Sequence, residues 1–178
     1  MPLVECRYAE ALIEITEENC STDEVLINLN ELVNIFESNP ELEGYLKNPN
    51  IQLMVKKELL GKLFKGLVNE NLLRLLYMLV DKNRIKYVKG ILIEYKRLVD
   101  KKRNILNLKI SSAVQLDEMQ IKKIEDKYAK IHKSDMVSTV VEIDKSLIGG
   151  IKIQIGDRVE DYSVRSRLDS LKNLLAER

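Results

Sequence analysis

DKSLIGGIKIQIGDRVEDYSVRSRLDSL, residues 144–171, decides how this chain folds. Ile151, Ile153 and Ile155 alternate with Lys152 and Gln154, the period-2 pattern of a half-buried strand. Gly149 and Gly150 stand just before that strand, where a tight turn needs positive φ or close backbone approach. The stretch therefore reads as opening at the turn of a hairpin whose first strand is 137–144. Gly156-Asp157 closes the second strand with another turn signal. Ser163 is placed as a helix N-cap, and Val164, Leu168, Leu171 and Leu175 follow at helical spacing.

Working upstream, Leu106, Leu108 and Ile110 alternate with polar residues and predict a further strand. Leu116-Asp117-x-x-Gln120-Ile121 combines a hydrophobic staple with a capping box, and Ile124, Tyr128 and Ile131 continue that helix. The last third thus reads strand, helix, strand, strand, helix. Asp100-Lys101-Lys102-Arg103-Asn104 is the expected boundary, giving domains 1–104 and 105–178. Its basic run suits a solvated helix C-terminus.

Residues 1–104 show only the helical period. Tyr8, Leu12 and Ile15 mark a first helix, with Ala9 and Ala11 beside them. Ser21-x-x-Glu24 predicts a capping box for the second, with Cys20 and Val25 as its staple and Val25, Leu29, Leu32, Val33 and Phe36 as its stripe. Pro40 suits the first position of a short third helix. Val55, Leu59, Leu63 and Phe64 mark a fourth, and Gly66 separates it from a fifth over 69–81, which is apolar around most of its circumference. Such a helix is central in a bundle or keeps one face for a partner. Ile85, Val88, Leu92, Tyr95 and Val99 form a heptad seam on a sixth, 84–102. The fold class is mostly α with a small α/β part: an N-terminal six-helix bundle, then the small strand-helix-strand-strand-helix domain.

Composition narrows the function. Lys plus Arg total 29 against 28 Asp plus Glu, a net charge of +1, so no whole-molecule attraction draws nucleic acid or anionic lipid. Cys6 and Cys20 match neither a C-x-x-C pair nor a zinc spacing, and read as reduced thiols. His132 is the single histidine, with no metal-ligand companion at ligand spacing and no G-x-S-x-G elbow elsewhere. Gly149, Gly150 and Gly156 fit neither G-x-G-x-x-G nor a P-loop, and the pair leads into a strand rather than a helix N-terminus. No run approaches the roughly 18 apolar residues of a membrane span. The N-terminus MPLVECRYAEALIEI lacks an apolar h-region and the Arg- and Ser-rich bias of a transit peptide.

Leu147-Ile148-Gly149-Gly150, Ile151-x-Ile153-x-Ile155-Gly156-Asp157, Asp161-x-Ser163-Val164-Arg165 and Leu168-x-x-Leu171 together closely resemble the C-terminal signature of the delta subunit of rotary ATP synthase, whose mitochondrial form is the oligomycin-sensitivity-conferring protein. Arg7-Tyr8-Ala9-x-Ala11-Leu12 resembles that family's first helix. Tyr162 departs from the pattern, since family members often carry a small residue there.

The resemblance implies a non-catalytic stator, or peripheral-stalk, subunit of a proton-translocating rotary ATP synthase, without cofactor or metal. It implies that the six-helix bundle sits on the catalytic head and binds the N-terminal helices of alpha subunits through its first and fifth helices. The C-terminal domain is implied to hold the C-terminal end of the b subunits. No nucleic acid and no direct membrane insertion are expected. The expected location is peripheral, on the cytoplasmic face of a bacterial plasma membrane. Stripe position nominates Tyr8, Ala11, Leu12 and Ile15 on the first helix and Leu72, Leu76 and Leu79 on the fifth for the groove. Gly149, Gly150, Gly156 and Asp157 are expected to shape a structural turn. The competing reading is a small-ligand-binding or enzymatic α plus α/β protein that uses the glycine hairpin 149–157.

Overall fold

The computed structural model describes the backbone of residues 3–176 and the side chains of 4–169 and 172. The described residues form eight α-helices and one four-stranded mixed sheet, a mostly helical fold with a small α/β part. The chain divides into two compact units, Met1–Val99 and Asp100–Arg178.

The first unit contains α1 (Leu3–Glu18), α2 (Thr22–Ser38), α3 (Pro40–Lys47), α4 (Leu53–Phe64), α5 (Glu70–Asp81), a 3-10 turn (Ile85–Tyr87) and the start of α6 (Val88–Lys102). Its core joins Leu12 and Ile13 of α1, the α2 stripe Val25, Leu29, Leu32, Val33 and Phe36, and Ile85, Val88, Ile91, Tyr95 and Val99. Leu92 of the expected seam is only partly buried, and Ile91 takes the central place. Phasing also differs on α4. Its buried column is Lys56, Leu60 and Phe64, while Val55 and Leu63 face solvent. Of the residues that mark this helix in the sequence, Phe64 belongs to the column, and the others flank it because α4 has apolar residues on both sides.

The expected capping box on α2 does not form. Ser21 has φ −112° and ψ 17° and makes no side-chain cap. Instead the turn belongs to the end of α1. Cys20 takes positive φ, 50°, and the N–H groups of Ser21 and Cys20 donate to the carbonyls of Thr16 (2.8 Å) and Glu17 (3.1 Å). That pair of bonds is the Schellman pattern, made here around a cysteine rather than a glycine. Cys20 is exposed, so it does not staple Val25.

One buried polar knot ties the first unit together. The Tyr95 hydroxyl on α6 shares a 2.8 Å hydrogen bond with Thr16 Oγ1 on α1 and donates to the carbonyl of Thr22 at the start of α2 (3.3 Å). Burial raises the Tyr95 pKa, so it stays a neutral donor. Tyr95→Phe takes one partner from the buried Thr16 hydroxyl and the donor from the part-buried Thr22 carbonyl, and is expected to cost about 1–2 kcal/mol. Urea denaturation of the full chain measures it; an unchanged midpoint would show the knot to be idle.

The second unit carries β1 (Ile105–Ser112), α7 (Glu118–His132), β2 (Met136–Ile143), β3 (Ile151–Ile155), β4 (Arg158–Asp161) and α8 (Val164–Ala176). Gln120 Oε1 accepts from the Asp117 N–H at 3.0 Å, the expected reciprocal half of the α7 capping box. Strand order is β2-β1-β3-β4. β1 and β2 are parallel, with α7 between them in sequence, and β1–β3 and β3–β4 are antiparallel. This corrects two expectations. β2 and β3 are not a hairpin, because β1 lies between them, with Ile110 opposite both Val141 and Ile153. The hairpin is β3–β4, turning at Gly156-Asp157. β4, reading RVED, escaped notice because all four residues are exposed and only one is apolar; backbone pairing alone makes it a strand. Leu108 and Ile153 pack with Tyr128 of α7 in a small core, joined by Leu106, Ile124, Val137, Ile151 and Ile155. β2 forms one outer edge of the sheet and exposes Met136, Val140 and Ile143. Ser163 Oγ accepts from the Ser166 N–H at 3.1 Å, capping α8 as expected. The side chains of Leu171 and Leu175, the rest of the expected stripe, lie outside the described residues.

Candidate functional site: an apolar groove between two antiparallel helices

A groove of about 250 Å³ runs between α1 and α5, lined by Tyr8, Ala11, Leu12, Ile15, Asn71, Arg74, Leu75 and Met78. On α1 the four lining residues fall at i, i+3, i+4 and i+7, so one helical face supplies a whole wall. Leu12 and Leu75 are nearly buried and form the floor, while Ile15 (44 % exposed) and Met78 (50 % exposed) form apolar rims without a covering neighbour. Small Ala11 keeps the wall low. Tyr8 is fixed by Arg84, whose Nη1 donates to the phenol oxygen at 3.2 Å while the guanidinium carbon lies 6.0 Å from the ring centre. A trough of this shape accepts an amphipathic helix laid along it.

All four residues nominated on α1 line the groove. Leu72, Leu76 and Leu79 do not: each is fully buried and belongs to the core of the first unit. The α5 wall is made by Asn71, Arg74, Leu75 and Met78, one step around the helix. Stripe position missed this face because the leucines of α5 gather on its core side, and two of the four wall residues are polar. Another hollow, about 370 Å³, is lined by Ile35, Asn39, Glu41, Leu42, Leu63, Phe64 and Leu67. It sits where α2, α3 and α4 end or begin, so no pair of helices forms a track along it.

The glycine turn in the second unit is filled by the chain itself. A Cβ on Gly150 would lie 2.4 Å from the Tyr162 carbonyl oxygen, and one on Gly149 would lie 3.2 Å from Val164 Cγ2. The Val164 N–H donates to the Gly149 carbonyl and the Tyr162 N–H to that of Ile151, both at 2.9 Å. These bonds clamp the turn to the start of α8. Gly156 turns the β3–β4 hairpin with φ 56°, with Asp157 beside it. A polar hollow of about 390 Å³ beside the turn includes Asp144, Lys152, Asp161 and Arg165. Its carboxylates already serve the turns: Asp144 accepts from the Ser146 N–H (2.9 Å) and Asp161 from the Ser163 N–H (2.8 Å). Hydrogen bonds from Ser146 and Ser163, side chain foremost and backbone N–H second, hold the two carboxyls below their ordinary range. Among the described residues no group of three or more His, Cys, Asp or Glu is placed to hold a metal ion, and no helix is long and apolar enough to cross a membrane. His132 stacks on Tyr128, with ring centres 6.3 Å apart.

Tyr162, the departure from the signature, has a defined place. Its hydroxyl donates to Glu160 Oε2 at 2.9 Å, Tyr128 donates to the same oxygen, and Lys127 lies over both rings. The two phenols, Tyr128 foremost, hold the Glu160 carboxyl below its ordinary value of 4.5. Burial, reinforced by Glu160, pushes the Tyr128 phenol up. A carboxylate with a depressed folded pKa contributes stability above its unfolded pKa, and that contribution is lost as pH falls through the folded value. Glu160, Asp144 and Asp161 all have this sign. The second unit is therefore expected to lose stability as pH drops below the ordinary carboxylate range, and Glu160→Gln should flatten that dependence. Hydrogen exchange over β3 and β4 at stepped pH reads both; protection that is insensitive to pH in the parent chain would contradict it.

Comparison with known proteins agrees with the resemblance in the glycine-turn stretch. The model of the family described as ATP synthase delta (OSCP) subunit matches residues 4–175. The chain is 47% identical to ATP synthase subunit delta of Acetivibrio thermocellus over 178 residues, covering 100% of both. It is 36% identical to ATP synthase subunit delta of Clostridium perfringens, covering 97% of this chain and 96% of that one. A chain in the cryo-EM structure of the Toxoplasma gondii mitochondrial ATP synthase hexamer has the same fold, with a TM-score of 0.72 at 19% identity over 99% of this chain and 98% of that one. A chain in a Polytomella F-ATP synthase structure matches 53% of this chain and 84% of its own length, with a TM-score of 0.50 at 18% identity. The chain belongs to the ATP synthase delta (OSCP) subunit family.

Proposed function

We propose that this chain is the mechanical tie between the catalytic head of a rotary ATP synthase and its peripheral stalk. Residues 1–104, as a six-helix bundle, sit on the head and take the N-terminal helix of an alpha subunit into the α1–α5 groove. Residues 105–178 hold the C-terminal end of the b subunits. The chain makes no covalent chemistry of its own and works on the cytoplasmic face of a bacterial plasma membrane, joined to it through its partners. The observation that carries the reading is the uncovered apolar trough in a chain of this family.

The physical task is to resist torque. Proton flow turns a rotor inside the head, and an untethered head turns with it, so the catalytic sites are not driven through their cycle. A helix laid in the groove buries three or four apolar side chains, each contributing about 1.5–3 kcal/mol. Contact along a rigid two-helix track also resists sliding better than a contact on a loop. Glycine-hairpin ligand binding is the weaker reading, because the space around Gly149 and Gly150 is occupied by the chain's own Val164, Tyr162 and Ser163.

Titration of the full chain with a peptide copying the N-terminus of the alpha subunit tests the docking step. Saturable binding that broadens Ala11 and Ile15 resonances supports it, and binding that leaves them untouched overturns the groove assignment. Stripping the chain from the coupled enzyme is expected to abolish proton-driven ATP synthesis while the detached head continues to hydrolyse ATP. Loss of hydrolysis in that head would contradict a purely mechanical role.

A further inference from the structure

The two ends of the groove carry opposite charge. On α1 the exposed column beside the groove runs Arg7, Ala11, Glu14, Glu18. On α5, Glu70 is the first residue, and Lys82 follows Met78 by one turn at the C-cap. The helices run antiparallel. Arg84, just beyond α5, bonds Tyr8 near the start of α1 (3.2 Å), whereas Asn69, the N-cap of α5, bonds Glu24 (3.2 Å), which follows the end of α1. Arg7, Lys82 and Arg84 therefore gather at the Tyr8 end, and Glu14, Glu18 and Glu70 at the Ile15 end. Arg74, in the middle of the α5 wall, lies 3.7 Å from Glu70 with both side chains largely exposed, a pairing that contributes little.

We propose that this polarity fixes the direction in which a guest helix of given charge order lies. The fitting guest is an amphipathic helix with Asp or Glu in its first turn and Lys or Arg in its last. Its N-terminal end lies against Arg7 and Arg84 and its C-terminal end against Glu14 and Glu18, parallel to α1. This rests on the groove reading above. Helices carry that charge order to complement their own dipole. Laid the other way, the same guest sets like charges against each other at both ends. The guest's N-terminal dipole, equivalent to roughly half a charge, opposes the arrangement but is outweighed by one or two full carboxylates there. The run from Tyr8 to Ile15 spans about 10 Å, close to one Debye length at 0.1 M salt, so each end is sensed nearly independently.

The test uses the full chain and two synthetic helical peptides of about 20 residues with the same apolar face and composition. One has Glu in the first turn and Lys in the last; the other has them interchanged. At low salt the two are expected to lie in opposite directions, each placing its acidic end against Arg7 and Arg84, and this bias should collapse near 1 M salt. A nitroxide on the N-terminal end of the first should broaden the Met78 methyl and spare those of Ile15, and on the N-terminal end of the second it should do the opposite. The double variant Arg7→Glu with Glu18→Lys, both exposed and outside the groove lining, cuts the charge difference between the ends and should weaken this bias. The same broadening pattern with both peptides, or broadening at Ile15 with the first, overturns the polarity while leaving the groove reading intact. Failure of both peptides to bind overturns the groove reading and the polarity together.

Discussion

Gly150→Ala is expected to destabilise the second unit severely while leaving the first in place. Gly150 has φ +84°, where any side chain is strained, and an added Cβ would also meet backbone, the Tyr162 oxygen at 2.4 Å and Ser163 Cα at 3.0 Å. Backbone cannot rotate aside as a side chain can. Relief requires the turn to lift from the start of α8, which sacrifices the Tyr162–Ile151 and Val164–Gly149 hydrogen bonds. Positive φ contributes about 1 kcal/mol and the displaced clamp about 2 more, so roughly 3 kcal/mol is lost in total. That is a large part of what a small domain has. Gly156→Ala is the matched control. Its φ is also positive, 56°, but nothing lies within 4 Å of the added carbon, so only the conformational cost of about 1 kcal/mol applies. Hydrogen exchange resolved over β1, β3 and α7 compares them, and equal losses would refute the packing argument.

Ala11→Trp is expected to abolish docking without disturbing the fold. Ala11 is exposed on α1 and lines the groove, so a large ring there fills the trough from the wall. Affinity for an alpha-subunit N-terminal peptide should fall about 100-fold or more, near 2.7 kcal/mol, with an unchanged melting curve. Leu72→Ala gives the opposite signature. Leu72 is fully buried, and its truncation leaves a cavity costing about 2–5 kcal/mol of stability. A loss of affinity in that variant should track unfolding alone. An Ala11→Trp chain that binds like the parent would remove the groove from the mechanism.

What the amino-acid pattern revealed, and what it hid, follows from the physics of each element. Helix starts at Pro40 and Asp117, and the Ser163 cap, were legible because capping and proline act within a few residues. The isoleucine alternation of β3 announced its buried face. Strand order was not legible. Whether β3 pairs with β2 or β1 depends on contacts across the α7 crossover, and the glycines between β2 and β3 invited the nearer choice. β4 carried no apolar period at all. At the groove, α1 was legible because it alternates a buried face with an exposed polar one. α5 was not, since its most regular leucines are the ones the core has taken. Its groove face is marked instead by Asn71 and Arg74, polar residues that a search for greasy stripes passes over.

The outer edge of β2 has a practical consequence for handling the lone chain. Eight residues long, it holds a single charged residue, Glu142, which is already engaged with Lys109 at 2.9 Å, and it contains no proline. Bare peptide groups flanked by Val140 and Ile143 are adhesive toward any extended backbone that drifts past. Concentrated stocks are expected to turn cloudy on storage below the melting temperature, and Val140→Lys should keep them clear.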